Sequence, residues 1–316
     1  MTRGFALYKT YPMVCSGIFT MFDVDLEWLI DQKDVQYIQT ICEHERVRIY
    51  TAFWRKHQVV CVKEIVVDDH NMKLVRREVD ILSKCIHPKI CQFLGAGIST
   101  STKIVFMLFE YMEIGNLSDY IKKVTLSYDQ KRNILRSILI GMHYLSSRIP
   151  QKIIHRDFKP SNILVNSHGE IKISDFGVSK QLYNLGPKMK TSKSFLTICH
   201  ATESSDDISH TGIGTLRWTA PEVVLDGCTY DETCDIYSFG LLAFYVITDG
   251  VIPYYNEYQS NLAQIAFAKS GNIRPFLDNP SLTQYPVYKD MIQSCTEKDP
   301  SLRPRDASAI LEEYFK

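Results

Sequence analysis

The feature that most constrains this chain is a single change of apolar pattern near Met112. From Val35 to Phe109 the apolar residues recur mostly as short strands. "RIYTAF" and "VVCVKEIVV" are joined by the polar turn "RKHQ", and "HPKICQFLGAGI" and "KIVFMLFEYM" follow. One helical stretch interrupts them: in "HNMKLVRREVDILSKCI", Leu74, Val75, Glu78, Val79 and Leu82 fall at helical spacing. After "EIGNLSDYI" the pattern turns helical. "YDQKRNILRSILIGMHYLSS" and "TCDIYSFGLLAFYVITDG" read as long helices, amphipathic or wholly buried, with "YPVYKDMIQSC" and "RDASAILEEYF" after them. A chain of 316 residues with one such switch is predicted to be α+β, with a small strand-rich lobe at 35–111 and a larger helical one at 112–316. Residues 1–34 lack a clear period and read as an N-terminal extension. The stretch from Lys180 to Gly212 carries lysines in front, acids behind and hydroxyls throughout, and a loop of that length in a compact domain is usually functional or disordered.

Bulk composition narrows the function classes. The formal net charge is +0, so there is no electrostatic case for nucleic acid or a membrane surface as a partner. The apolar runs are too short to span a bilayer, and the first residues lack the sustained apolar core of a signal peptide. Nine cysteines occur without a CxxC pair, and an odd count leaves at least one unpaired. That usage fits reduced thiols and a cytoplasmic location better than a disulfide framework or a zinc site.

Three stretches carry chemistry, in this order: "IIHRDFKPSNILV", "EIKISDFGVSK" and "GTLRWTAPEVV". Taken singly, a polar turn would account for the first. The ordered set resembles the catalytic loop, metal-binding segment and substrate-side anchor of eukaryotic protein kinases, over roughly residues 35 to 316. The resemblance implies a two-lobed protein kinase fold, with a small antiparallel-sheet N-lobe holding one main helix and a mostly helical C-lobe. The activation segment would run over about 175–222, and ATP with Mg²⁺ (or Mn²⁺) would be the cofactors. It also implies roles. Asp157 orients the acceptor hydroxyl and takes its proton, and Lys159 offsets charge on the transferring phosphoryl group. Asn162 and Asp175 supply the hard oxygen ligands that Mg²⁺ prefers. Lys63 holds phosphates and pairs with Glu78, whose inward stripe position would be costly for an unpaired charge. Ile41, Ile49, Cys61 and Leu164 sandwich the base, Cys61 standing where the family usually has alanine. Phe109 closes the rear of the pocket, and backbone groups from Glu110 to Met112 hydrogen-bond the base. Glu222 with Arg303, and Asp235 beneath the catalytic loop, resemble structural braces.

The subgroup signals are mixed. Lys159 followed by "PSN", and Thr215 in "GTLRW", look like serine/threonine kinases, whereas "RWTAPE", "CDIYSFGLL" and "IQSCTEKDPSLRP" are similar to tyrosine kinases. Together, and with Trp28 in "LEWLIDQKDVQYIQTI", they resemble the tyrosine kinase-like group of serine/threonine kinases; dual or tyrosine specificity is the lesser alternative. A protein substrate is implied. Arg156 before the catalytic aspartate implies control by an upstream kinase acting on the 180–212 loop, where Thr191, Ser192, Ser194, Thr197, Ser204, Ser205, Ser209 and Thr211 are the acceptors on offer.

One element departs from the family. In "ICEHERVRIY", Cys42, His44 and Val47 occupy the three glycine positions of the phosphate-binding loop, and no glycine occurs between Gly17 and Gly95. Glycine serves there by admitting positive φ and letting N–H groups approach phosphate oxygens. Side chains at these places should weaken that cradle, and β-branched Val47 fits worst if its position needs positive φ. Two readings follow: an active enzyme in which His44, Arg46 or Arg48 offsets the lost contacts by charge, or a pseudokinase that acts as a binding module.

Overall fold

The computed structural model describes residues 28–99, 102–183, 189–190, 216–224, 229–254, 269 and 271–316. The described residues pack as two units, one taking those through Ile86 together with those of Gln92–Tyr111, the other those of His87–Cys91 and Met112–Lys316.

Strand parity organises the first unit. β1 (Val35–Glu43), β2 (Val47–Trp54) and β3 (Gln58–Val66) precede helix α1 (Met72–Ser83), and β4 (Phe93–Ser99) and β5 (Ile104–Glu110) follow it. The five strands form an antiparallel sheet of order β1-β2-β3-β5-β4. Successive side chains of a strand point to opposite faces. One face therefore collects Tyr50, Ala52, Val60, Val62, Phe106 and Leu108, capped by Ile30, Val35, Trp54 and Leu94. Each fully buried Val, Leu or Phe there contributes about 1.5–3 kcal/mol. The opposite face carries the cross-strand rows Ile49–Lys63–Met107 and Thr51–Cys61–Phe109. In α1 the helical stripe read from the sequence is buried at Val75, Glu78, Val79 and Leu82.

The second unit begins with β6 (Gly115–Asn116), α2 (Leu117–Lys123) and α3 (Tyr128–Ser146). Ser127 and Gln130 close a reciprocal capping box at the start of α3, satisfying two N–H groups that a helix end leaves open. β7 (Gln151–Ile154), β8 (Ile163–Val165), β9 (Ile171–Ile173) and β10 (Lys180–Tyr183) frame the polar turns that carry the motifs. β11 (Met189–Lys190), α4 (Pro221–Val224), β12 (Thr229–Tyr230), α5 (Thr233–Ile247), α6 (Pro286–Cys295) and α7 (Ala307–Tyr314) complete it. α5 is buried at every position from Cys234 to Ile247, in keeping with its mostly apolar sequence, Asp235 and Ser238 being buried polar exceptions.

Two placements differ from the sequence reading. The segment "HPKI" is not the start of a strand in the first unit: Lys89 accepts from the Ile173 N–H at 2.9 Å and Cys91 donates to the Ile173 carbonyl at 2.8 Å, so His87–Cys91 belongs to the second unit. At the other end, residues 28–34 are not a separate extension. Leu29 bridges Ala96, and Ile30 donates its N–H to the Ala96 carbonyl at 2.9 Å, which adds this segment to the β4 side of the sheet. Among the described residues no helix is long and apolar enough to cross a membrane, and Cys61, Cys234 and Cys295 are free thiols.

Candidate active site

The second unit builds its polar centre from two turns. β8 and β9 pair Ile163 with Ile173, so Asn162 and Ser174 flank the same end of that hairpin. The Asn162 carbonyl accepts from the Ser174 N–H at 2.9 Å and from its hydroxyl at 3.0 Å, which fixes the residue before Asp175. Asp157 is 8% exposed. Its Oδ2 accepts from Asn162 Nδ2 at 2.7 Å and lies 2.9 Å from Lys159 Nζ. Its Oδ1 is buried and has no hydrogen-bond partner among the described residues. The carboxylate is thus gripped on one oxygen, while the other is engaged by none of the described residues.

The backbone of this centre is held from below. Asp235, in the first turn of α5, accepts the His155 N–H at 2.7 Å and the Arg156 N–H at 2.8 Å. Burial pushes its carboxyl up to about 7, against the pull of those two donors. His155 is fully buried, with Nε2 3.0 Å from the Ser174 carbonyl and its ring against Phe158 and Phe176. Burial holds its imidazole below the ordinary histidine range, so it stays neutral. Arg156 and Asp175 both adopt left-handed backbone, with φ of 67° and 60°. Non-glycine residues held there cost about 1–3 kcal/mol each and cluster at functional sites.

In the first unit, Lys63 Nζ meets Glu78 Oε1 at 2.8 Å, joining β3 to α1 with the glutamate 4% exposed. Ile49, Cys61 and Phe109 lie on the same sheet face as Lys63. Burial pushes the Cys61 thiol up to about 11, so it behaves as a neutral apolar group. Ile41 is the extra residue of a β1 bulge and is 52% exposed, while Cys42 stands directly opposite Ile49. The Glu110 N–H donates to the Gln92 carbonyl at 3.0 Å, and the Met112 carbonyl accepts from Gly115 at 3.0 Å. In the second unit Leu164 is half-buried in β8, opposite Lys172.

The match to known proteins decides the family: residues 46–315 fit the family model described as "Protein kinase domain". The chain belongs to the protein kinase domain family. This kinase domain is 31% identical over 265 residues to the serine/threonine-protein kinase dst1 of Dictyostelium discoideum, covering 82% of the chain and 31% of that relative. It is 30% identical over 298 residues to the serine/threonine-protein kinase 12 of Arabidopsis thaliana, covering 93% of the chain and 59% of the relative. With the serine/threonine/tyrosine-protein kinase HT1 of the same plant it shares 30% identity over 301 residues, covering 91% and 68%. The chain thus spans less than two thirds of the length of the first two of these relatives. Its architecture is the two-lobed kinase fold: a small antiparallel sheet with one main helix, and a larger helical unit.

The kinase domain's missing glycines have a structural outcome. β1 and β2 close through His44 N–H to the Val47 carbonyl at 2.8 Å, and none of Cys42, His44 or Val47 adopts a positive φ. The strain expected at Val47 is therefore absent; it sits in β2 opposite Ile65 as an ordinary strand residue. The two arginines expected to offset the lost contacts by charge have other neighbours. Arg46 is tied to Asp68 at 2.7 Å, and Arg48 lies between the Tyr37 and Tyr50 rings at 4.9 and 5.3 Å. Arg48 precedes Ile49 in the strand, so parity turns it to the face opposite Lys63. His44 remains near the loop, with Nε2 3.0 Å from the Cys42 thiol.

Asn162 and Asp175 offer hard oxygen donors, and with Asn162 Nδ2 committed to Asp157, Oδ1 is the atom that would meet a metal. That set fits Mg²⁺, which takes one or two carboxylate-type ligands and completes its octahedron with waters and substrate phosphates. The kinase braces read from the sequence are in place. Arg303 meets Glu222 in a two-pronged pair at 2.6 and 2.8 Å. Arg156 donates to the Val178 carbonyl in the segment after Asp175. Thr215 and the hydroxyls at 191–211 lie outside the described residues. Sequence reasoning missed the bracing roles of His155 and Ser179. Ser179 Oγ donates to the His155 carbonyl at 3.2 Å, and the signal that could have found it was its fixed offset from Asp175.

Proposed function

We propose that this kinase domain transfers the terminal phosphoryl group of ATP, with Mg²⁺, to serine and threonine hydroxyls of protein substrates. The observation that carries the reading is Asp157: one oxygen fixed by Asn162 and Lys159, the other buried and unpartnered among the described residues. In the first unit the Lys63–Glu78 pair would set the ammonium against the first two phosphates, and Cys61, Ile49 and Ile41 would contact the base with Phe109 at its rear. The backbone of Glu110 to Met112 would hydrogen-bond the base edge. Asn162 and Asp175 would hold the metal, which supplies charge neutralisation on the phosphates when bound. Lys159 favours serine and threonine, and two of the relatives carry that specificity in their names. The name of the third includes tyrosine, which keeps dual specificity as the lesser alternative. Phosphorylation in the 180–212 loop by an upstream kinase would regulate the domain through Arg156.

A second reading has its own support. The His44 N–H is committed to the hairpin, and side chains stand where phosphate would approach the backbone. On that reading the domain is a pseudokinase that signals by binding partners. Mg²⁺-dependent transfer of ³²P to generic protein substrates tests the choice, with Asp157→Asn beside the wild type. Loss of a general base is worth about 10²–10⁴ in rate, so counts should fall by that factor. Equal counts from both proteins would sink the enzyme reading. Thermal stabilisation by ATP with and without Mg²⁺ then shows whether the domain still binds nucleotide.

A further inference from the structure

The segment ahead of β1 reaches the nucleotide side of the sheet through a row of three rings, all within the first unit. Trp28 stacks on Phe93, with centroids 5.5 Å apart and planes at 28°. Phe93, 2% exposed, meets Phe109 edge-on at 5.8 Å and 62°. Phe93 and Phe109 are direct cross-strand partners, and Phe109 in turn sits opposite Cys61 on the face that bears Lys63. The Phe109 ring thus has Phe93 against one side, and Phe93 has Trp28 over it.

The docking of residues 28–30 is built into β4. Gly95 has φ of +146°, and a Cβ there would lie 2.6 Å from the Trp28 carbonyl oxygen and 2.7 Å from Ile30 Cδ1. At Gly97 a Cβ would lie 2.5 Å from the Ile30 carbonyl oxygen. Only glycine at these two places admits the segment at that depth. The parallel bridge at Leu29 and the Ile30 N–H bond to Ala96 fix its register, so the indole cannot slide along Phe93.

We propose that Trp28 is a positioning residue for the nucleotide pocket, holding the Phe109 ring through Phe93 and so setting how large a group the rear of that pocket excludes. The inference rests on the reading of Phe109 as the residue behind the base. Edge-to-face and stacked aromatic pairs prefer defined geometries, so a ring flanked this way has few rotamers open to it. Without the indole, Phe93 gains room to tilt, and Phe109 gains room to follow it away from the base.

The test compares the affinities of ATP and of an ATP carrying a benzyl group on N6, in the wild type, Trp28→Ala, Trp28→Leu and Trp28→Phe. Phe109→Gly is the control. The expected result is a rise of about five- to tenfold in the analogue-to-ATP affinity ratio for Trp28→Ala, a size set by the loss of one aromatic pair. Trp28→Phe should restore the ratio toward wild type. If Trp28→Ala does not fold, Trp28→Leu, which keeps apolar cover over Phe93, carries the same expectation. An unchanged ratio, or a parallel fall for both ligands, would overturn the inference, because a merely structural tryptophan gives one or the other. A Phe109→Gly protein that gains nothing toward the analogue would instead remove the reading of Phe109, and a wild type that binds no ATP would remove the nucleotide site itself; either takes this inference with it.

Discussion

Consider Glu222→Gln, which keeps the shape of a buried side chain and removes its charge. Arg303, whose side chain is 0% exposed, would lose the only carboxylate it pairs with among the described residues. Its bonds to the carbonyls of Glu297 at 2.6 Å, Thr233 at 3.0 Å and Lys298 at 3.0 Å would remain. Breaking a buried ion pair from one side costs about 3–5 kcal/mol, and the three surviving carbonyls put this case near the lower end. The neighbourhood argues against a smaller loss. Lys269 is buried nearby, with its amine on the Arg217 and Thr219 carbonyls and its charge favoured by Glu222. At about 3 kcal/mol, with roughly 2–4 °C per kcal/mol for a unit of this size, the melting temperature should fall by about 6–12 °C. Circular dichroism melts and urea titrations of Glu222→Gln, Arg303→Met and the double variant measure it. The double variant should recover at least about 1 kcal/mol relative to the sum of the singles, since no buried charge is then orphaned. A Glu222→Gln protein melting within about 1 °C of wild type, or strictly additive variants, would refute the reasoning.

Two further outcomes follow from the site. His155→Phe keeps the ring packing and removes a group that the fold holds neutral below the ordinary histidine range, beside Asp157, Asp175 and Lys159. The unfolded chain takes up a proton there below about pH 6.5 and the folded one does not, so the wild type loses this contribution as pH falls. Asp235, raised to about 7, works the other way, losing its contribution as pH rises toward 7, but it is common to both proteins and drops out of the difference. The stability gap favouring wild type at pH 7.5 should therefore shrink by pH 5.5, by up to about 1.4 kcal/mol per pH unit below 6.5, and a constant gap would contradict the buried neutral imidazole. For the hairpin, glycine at positions 42, 44 and 47 together should cost about 1.5–3 kcal/mol in stability, because none of the three native residues uses positive φ. The KM for ATP should fall several-fold as the backbone opens to phosphate; a KM that stays level would show that these side chains do not obstruct binding.

What could be read from the sequence was whatever a local period or a fixed motif offset encodes. The Lys63–Glu78 pair is what the kinase resemblance implies for a strand-end lysine and a glutamate on an inward helical stripe, and the structure closes it at 2.8 Å. The switch to helices near Met112, the Glu222–Arg303 pair and the Asp235 brace lie at fixed places in the motif frame. What could not be read depends on partners distant in the chain. Lys131 looks like a solvated residue in the polar first turn of α3, yet its side chain is 3% exposed and meets Asp249 at 2.7 Å. No local pattern announces that partner. Trp28 was legible as part of a lead-in motif, but its place over Phe93 requires knowing that β4 carries two glycines exactly where a backbone must pass, as the contacts at Gly95 and Gly97 show. The side on which Arg48 lies needed no distant partner to read: strand parity already set it on the face opposite Lys63.

The bond from Asp235 to the His155 N–H spans 80 residues of chain. During synthesis, the turn bearing Asp157 leaves the ribosome well before the carboxylate that holds its backbone in left-handed form at Arg156. Until α5 emerges and buries itself, the His155 and Arg156 N–H groups lack the acceptor that holds them in the folded chain, and the turn bearing Asp157 lacks that support from below. One packing event therefore both buries a long, mostly apolar helix and delivers the carboxylate that fixes the turn at Arg156.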